Sequence, residues 1–139
     1  MRWTDCFSDS LLGNELKIAL VCVGVKEAYL AIRSDSQLEN RFEPFILPRW
    51  QDDDEYASLL ASFEAVLPLC KLSHLTEPML ASAILARTEG TIGEIATLLS
   101  RAAVLAVEMG QEYIDQTLLD IVDYQSPSER RRLFERALS

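Results

Sequence analysis

Two short groups of residues have side chains that could do chemistry. Ser73 and His74 are adjacent and supply two of the residue types of a hydrolytic triad, and His74 is the single histidine of the chain. Residues 52–55 form the acidic run DDDE, whose carboxylates could bind a divalent cation. Each group also has a structural interpretation, because His74 is predicted in a loop and acidic residues stabilise the first turn of a helix. We favour the structural interpretation for both groups.

The three cysteines form no recognisable metal-binding or disulfide pattern. Cys6, Cys22 and Cys70 are far apart in the sequence, their number is odd, and no C-x-x-C occurs. Free thiols in a reducing compartment are the simplest interpretation of such spacing. We therefore predict no metal site, a cytoplasmic location, and a Cys22 side chain that is buried within a strand.

Sequence motifs of nucleotide-binding and hydrolase sites are missing from the 139 residues. The phosphate-binding pattern G-x-x-x-x-G-K-[ST] does not occur, because no glycine precedes a lysine, and G-x-G-x-x-G is missing as well. The nucleophile pattern G-x-S-x-G is also missing. No complete active site can therefore be identified in this sequence, and a hydrolase built on Ser73 and His74 is the weakest of the functional hypotheses.

The charge is strongly acidic but unevenly distributed. The chain has 13 basic and 22 acidic residues and a net charge of −9, and residues 52–123 alone have 3 basic and 13 acidic side chains. The last segment, 124–139, has 4 basic and 2 acidic side chains. A large sequence-independent grip on nucleic acid needs clustered Lys and Arg, so we predict weak or no direct DNA binding. The longest apolar run, 18–25, is far shorter than the roughly 20 residues of a membrane-spanning helix, so we predict no membrane partner.

The first third of the chain has the pattern of an α/β unit. The β-branched run from Ile18 to Val23 predicts a strand that is buried on both faces, and Phe45–Leu47 predicts a second strand that ends at Pro48. Short helices are predicted between them, at 26–33 and 35–41. A strand, helices and a strand in this order are typical of an α/β layer.

The rest of the chain has the periodicity of helices. Helices are predicted at 53–67, 77–87, 91–109, 115–122 and 126–138. Thr76, Asp115 and Ser126 are the predicted N-caps, and Ser126 begins the capping box S-P-S-E. The helix at 91–109 is apolar on almost every face, so we expect it to be central. The sequence therefore predicts a mainly α fold with a partial α/β layer, divided near residue 50.

The order of these elements resembles the second half of an AAA+ ATPase. The closest resemblance is to the TniB/TnsC family of transposition ATPases, and it extends over residues 11–123. The segments that carry it are NELKIALVCVGVKEAYLAI, QLENRFEPFILPRWQDDDEY and ARTEGTIGEIATLLSRAA. The resemblance implies that residues 1–50 are part of an AAA+ core with two short strands and that residues 51–139 are its all-helical lid.

The resemblance also assigns roles to residues of the core. Val25 matches the end of the sensor-1 strand, where the family places a polar residue near the γ-phosphate, and a valine side chain cannot make that hydrogen bond. Arg41 matches the arginine finger that AAA+ proteins present to the nucleotide of the neighbouring subunit, a task that suits a permanently charged guanidinium. From the residues alone, Arg41 could instead be a surface arginine that pairs with Glu39 or Glu43.

Four further positions match the linker and the lid. Arg49 and Trp50 match the linker between core and lid, where Trp50 is either a packing anchor or part of a subunit contact. Gly93 and Glu94 match the start of the sensor-2 helix, where many AAA+ proteins place an arginine. Glu94 cannot neutralise phosphate charge, so we expect it to stabilise the start of its helix through the dipole.

The complete protein implied by the resemblance binds ATP and magnesium, assembles on DNA and recruits transposase. The resemblance places the Walker A and Walker B residues upstream of this chain, so we expect a truncated protein that binds ATP weakly or not at all and retains protein–protein contact with itself, a full-length AAA+ subunit or transposase. The alternatives are a free-standing helical interaction module, which would cover its exposed sheet edge by dimerisation, and the lid of an origin-recognition or clamp-loader AAA+ protein.

Overall fold

A computed structural model describes residues 21–138 of the chain. The chain divides into two compact units, Met1–Leu47 and Pro48–Ser139.

The first unit contains two short helices, α1 at Lys26–Arg33 and α2 at Ser36–Glu39. The Asp35 carboxylate caps α2 by accepting the backbone N–H of Gln37 at 2.9 Å. Arg33 and Glu39 form an ion pair at 3.1 Å that links the ends of the two helices. Both predicted helices of this segment are therefore present, and α2 is shorter than predicted.

The predicted strands are not part of the described structure. Residues 18–20 lie outside the described residues, and residues 21–25 and 45–47 form no strand. Val21, Val23 and Phe45–Leu47 are at least 79% exposed. A strand is stable only when a neighbouring strand pairs with its backbone, and no segment within 21–138 does so. The described part is therefore mainly helical without an α/β layer, and the prediction of a buried Cys22 is wrong, since Cys22 is exposed.

The second unit is a bundle of helices with its own apolar core. Its helices are α3 at Asp54–Val66, α4 at Pro78–Thr88, α5 at Ile92–Glu108, α6 at Gln116–Ile121 and α7 at Pro127–Ala137. All five predicted helices of this segment are present, and their ends differ from the predicted bounds by at most a few residues. The caps at Asp115 and Ser126 form as predicted, whereas Glu77 rather than Thr76 precedes α4.

The acidic run at 52–55 forms the start of α3. The Asp53 carboxylate accepts the backbone N–H of Tyr56 at 2.9 Å, which satisfies one of the free donors of the first turn. Tyr56 is buried, and its hydroxyl donates to the carbonyl of Ala81 in α4 at 2.9 Å. Burial, with a smaller contribution from the Asp52 carboxylate, raises the pKa of the Tyr56 hydroxyl well above its ordinary value. Tyr56 therefore joins α3 to α4 through a polar contact within the core.

Helix α5 supplies the centre of the core. Six of its residues are buried at helical spacing: Ile95, Leu98, Leu99, Ala102, Ala103 and Ala106. They pack with buried residues of α3, α4 and α6, among them Leu60, Ile84 and Leu119. Its outer face is not covered, since Val104 and Val107 are exposed. The sequence therefore predicted the central position of α5 correctly but overestimated how much of its surface is buried.

Tight turns end α4 and α5. Glu89 and Gly90 follow α4 with φ values of 52° and 66°, and Gly110 follows α5 with a φ of 70°. At Gly90 the Trp50 backbone lies so close that an added Cβ would overlap its carbonyl oxygen.

No single described helix is long and apolar enough to cross a membrane, and the α4–α5 pair, which reaches that length together, is bent by 117°.

We predict that Gly90→Ala destabilises the protein by about 1–3 kcal/mol more than Gly110→Ala does. Both substitutions add a Cβ at a positive φ, but nothing lies within 4 Å of the Cβ at Gly110, whereas the Cβ at Gly90 meets the Trp50 backbone. Urea unfolding followed by far-ultraviolet circular dichroism measures both free energies of unfolding. Equal losses in the two variants would show that the Trp50 contact is not tight.

Candidate functional site

Arg41 lies in the turn that follows α2. Its backbone N–H donates to the carbonyl of Leu38 at 3.0 Å, which extends the helical turn by one residue. The Arg41 side chain is exposed and forms no ion pair with any described residue. Its neighbour Glu39 pairs with Arg33 instead. Neither Glu39 nor Glu43, the two partners that the sequence suggested, therefore neutralises the Arg41 guanidinium.

Val25 is the N-cap residue of α1. Its carbonyl accepts the backbone N–H of Ala28 at 2.9 Å, and its side chain is exposed and makes no cap hydrogen bond. A valine side chain contains only carbon and hydrogen, so it offers no donor to a phosphate or to water. The residue does not fit the sensor-1 role that its place in the sequence implied.

Arg49 and Trp50 contact the turn between α4 and α5. The backbone N–H of Trp50 donates to the carbonyl of Gly90 at 2.8 Å, and the half-buried Trp50 ring packs on the core of the second unit. The Arg49 guanidinium lies 3.2 Å from the carbonyl oxygen of Glu89 and 3.5 Å from its carboxylate. The segment before α3 is therefore held against the turn that begins α5.

Glu94 is a point of convergence for three segments of the second unit. It lies in the first turn of α5, where one carboxylate oxygen accepts from the Arg130 guanidinium of α7 and the other accepts from the Tyr124 hydroxyl at 2.7 Å. Glu89 adds a parallel contact, since its carboxylate accepts the backbone N–H of Ser128 at 2.8 Å. We call Glu89, Glu94, Tyr124 and Arg130 the turn cluster.

The hydrogen bonds of the turn cluster shift the pKa values of its members in opposite directions. Donation from Arg130, and then from Tyr124, lowers the pKa of Glu94, because both donors favour the carboxylate form. Burial, and then the hydrogen bond to Glu94, raises the pKa of Tyr124 above its ordinary range. Arg87 lies 5.6 Å from the centre of the Tyr124 ring and donates to the carbonyl of Leu119. The cluster therefore consists of two carboxylates, a neutral phenol and one cation, and Arg87 is a second cation beside it.

The turn cluster is suited to holding helices together and not to proton transfer or phosphate binding. Both oxygens of Glu94 are already used, and its negative charge would repel a phosphate. Gly93 is exposed, and its carbonyl accepts the hydroxyl of Thr97 at 2.8 Å within α5. The Val25 side chain offers no donor and Glu94 offers the wrong charge, so the two residues that the resemblance matched to sensor positions do not fit a nucleotide bound by this chain.

Sequence reasoning identified Glu94 but missed its partners. Tyr124 and Arg130 lie 30 and 36 positions away, and local periodicity contains no information about such contacts. The capping box at Ser126 was the one signal near them, because it fixes where α7 begins. We predicted that Glu94 would act on the helix dipole, and the structure adds that its carboxylate binds two side chains.

Ser73 and His74 are parts of a structural turn. The Ser73 hydroxyl accepts the backbone N–H of Ile114 at 2.9 Å, and the Glu64 carboxylate accepts the backbone N–H groups of Ser73 and His74 at 2.6 Å each. No triad exists here, because the hydroxyl is engaged with the backbone and not with the imidazole. Within residues 21–138, no group of three His, Cys, Asp or Glu side chains is arranged to hold a metal ion.

One comparison with known proteins gives a family match over part of the chain. A sequence model described as "Bacterial TniB protein" matches residues 10–52, a segment that includes Val25, Arg41, Arg49 and Trp50. The match does not extend to Gly93 or Glu94. No curated protein and no solved structure gave a significant match. The resemblance that the sequence suggested is therefore confirmed for this segment, while residues 53–123 remain a prediction.

We predict that Glu94→Gln lowers the free energy of unfolding by about 1 kcal/mol near neutral pH. The folded-state pKa of Glu94 is lowered, so its stabilisation is complete above the pKa of the unfolded chain and disappears as the pH falls through the lower folded-state value. The difference between the two proteins should therefore shrink in acid. Thermal unfolding from pH 7 to pH 3 measures it.

The matched control for this experiment is Glu55→Gln. Glu55 also lies in the first turn of a helix, α3, but it is exposed and forms no ion pair with a described residue. Its substitution should change the unfolding temperature little at any pH. A Glu94→Gln effect that persists unchanged at pH 3 would mean that the carboxylate charge does not carry the contact.

Proposed function

Because residues 10–52 match the bacterial TniB family, we propose that this chain is a TniB-like, AAA+-related component of DNA transposition. In this proposal it acts as a regulatory subunit that contacts an ATP-binding partner subunit and the transposase machinery. The family match is the single observation that carries the proposal. The contacts of Arg41 support its finer part.

Arg41 is the residue that we assign to a neighbouring subunit. The matched segment contains it, its guanidinium is exposed, and no described carboxylate pairs with it. An arginine presented to another subunit's ATP would add positive charge where negative charge develops on the transferred phosphoryl group. Glu39 supports this assignment indirectly, because it forms its ion pair with Arg33 and therefore does not neutralise Arg41.

ATP would be bound by the partner subunit and not by this chain. The 139 residues contain no G-x-x-x-x-G-K-[ST] pattern, which supplies the main phosphate contacts in such proteins. Val25 and Glu94 do not fit the two sensor roles. We therefore assign to this chain a role in trans, in which it supplies a cation and a contact surface.

Direct DNA binding has little support in the charge distribution. Residues 52–123 have 13 acidic side chains against 3 basic ones, and phosphate contacts need the opposite balance. Assembly on DNA would then be a property of the partner subunit.

A second candidate is a helical interaction module without a nucleotide-dependent role. The second unit favours it, since α3 to α6 bury a continuous core of their own and the family match ends at residue 52. This module would bind proteins through its exposed helix faces. The two candidates differ in whether Arg41 is needed for ATP hydrolysis by a partner subunit.

We predict that Arg41→Ala reduces ATP hydrolysis stimulated by this chain about tenfold or more. The measurement is steady-state phosphate release after mixing with a full-length TniB-type ATPase. The control is Lys26→Ala, which removes an exposed cation of α1 that forms no ion pair with a described residue and leaves the Arg33–Glu39 pair intact. An Arg41→Ala protein that stimulates as well as wild type would contradict the finger assignment and favour the helical module.

We also predict that the chain alone does not bind a fluorescent ATP analogue at micromolar concentration. Fluorescence anisotropy in the presence of magnesium measures this directly. Micromolar binding that unlabelled ATP displaces would show that the chain has a phosphate site of its own, contrary to the role in trans.

A further inference from the structure

Helix α7 has an apolar side that no described residue covers. It has no buried residue, and Leu133, Phe134 and Leu138 are 48%, 65% and 73% exposed. The beginning of the helix is anchored to the second unit, where the Ser128 backbone N–H donates to Glu89 and Arg130 binds Glu94. The apolar side chains of its second half are therefore available to another surface.

A groove that is lined by apolar side chains and two carboxylates lies along α5 and α6. Val104 and Ile121 on its walls are 59% and 56% exposed, and Leu105 and Val122 lie deeper. Glu108 and Asp123 provide carboxylates at its edges. We call this the α5–α6 groove. Such an apolar strip with a charged border is a typical site for an amphipathic helix.

We propose that α7 of one copy docks in the α5–α6 groove of a second copy of this chain. Leu133 and Phe134 cover the apolar strip, and Arg131 and Arg132 lie against Glu108 and Asp123. Each copy offers one helix and one groove, so the contact is heterologous and leads to a ring or a chain of subunits.

Charge complementarity identifies a second copy as the occupant. Arg131 and Arg132 are exposed and form no ion pair with any described residue, and the segment 124–139 has a net positive charge. Residues 52–123, which contain the groove, have 13 acidic and 3 basic side chains. Arg101 is the one basic residue that lines the groove, and its guanidinium already donates to the Asp123 carbonyl at 2.6 Å.

The turn cluster prepares α7 for docking. Glu94 binds Arg130, and the Ser126 capping box fixes the first turn of the helix. A helix that is already formed and anchored loses less conformational freedom on binding than a disordered segment does. The apolar residues beyond this anchor then project as a preformed binding element.

This inference does not depend on the proposed role in transposition. It rests on residues of the second unit, whereas the family match and Arg41 belong to residues 10–52. A failed Arg41 experiment would leave it intact, and a failed docking experiment would leave the Arg41 assignment intact.

The test is the oligomeric state of the full 139-residue chain, measured by sedimentation equilibrium from low to high micromolar concentration. Wild type should associate, and Phe134→Asp and Ile121→Asp should each raise the dissociation constant about tenfold or more. Met79→Asp is the matched control, because Met79 is 72% exposed on α4, outside both surfaces, and should have no effect. Circular dichroism checks that every variant is folded.

Mixing the two variants separates a heterologous contact from other kinds of association. Phe134→Asp retains an intact groove and Ile121→Asp retains an intact α7, so the mixture should form a heterodimer while each variant alone stays monomeric. Charge provides an independent check, since Arg132→Glu should weaken association and Glu108→Lys in the second copy should restore it.

Three results would overturn the proposal. The first is a wild-type chain that stays monomeric at every concentration. The second is association that neither Phe134→Asp nor Ile121→Asp weakens, which would assign self-contact to another surface. The third is a monomer that sediments with anionic phosphatidylserine vesicles in an α7-dependent manner, which would assign the basic helix to a lipid surface.

Discussion

The burial of the inner face of α5 is the constraint on which the second unit depends. Ile95, Leu98 and Leu99 are fully buried, and each contributes about 1.5–3 kcal/mol of hydrophobic stabilisation. Helices α3, α4 and α6 surround this face, and their positions fix the turns that join them. The polar contacts at Glu94 depend on this burial, because Tyr124 and Arg130 reach its carboxylate only when the core holds α5 in place.

Two residues that the resemblance matched to the linker and lid of an AAA+ protein have structural contacts here. Glu94, which was matched to the start of the sensor-2 helix, binds α7, and Trp50 packs against the turn at Gly90. These contacts order the start of α5 and the attachment of α7. The groove at the other end of α5 and the exposed side of α7 are then the surfaces through which the second unit can meet other molecules. Arg41 belongs to the other unit and is the residue for which we propose a chemical role, at the nucleotide of a neighbouring subunit.

Much of the fold could be predicted from the sequence, because helical periodicity and capping chemistry are local properties. Asp53, Asp115 and Ser126 accept the backbone N–H groups of their own first turns, and each signal lies within a few residues. The strand prediction for residues 45–47 was wrong for the opposite reason. A strand needs a distant partner for its backbone, and an apolar run by itself cannot supply one.

The sequence alone therefore determined the helices, most of their caps and a resemblance to TniB over residues 11–123, which the family match confirms within residues 10–52. Only the tertiary structure decided what Glu94 does and which apolar residues remain exposed. A carboxylate in the first turn of a helix can act on the helix dipole alone or bind other side chains, and Glu94 acquires the second role when Tyr124 and Arg130 are brought to it. The position of such partners depends on how the helices pack, and packing is set by the whole core and not by neighbouring residues.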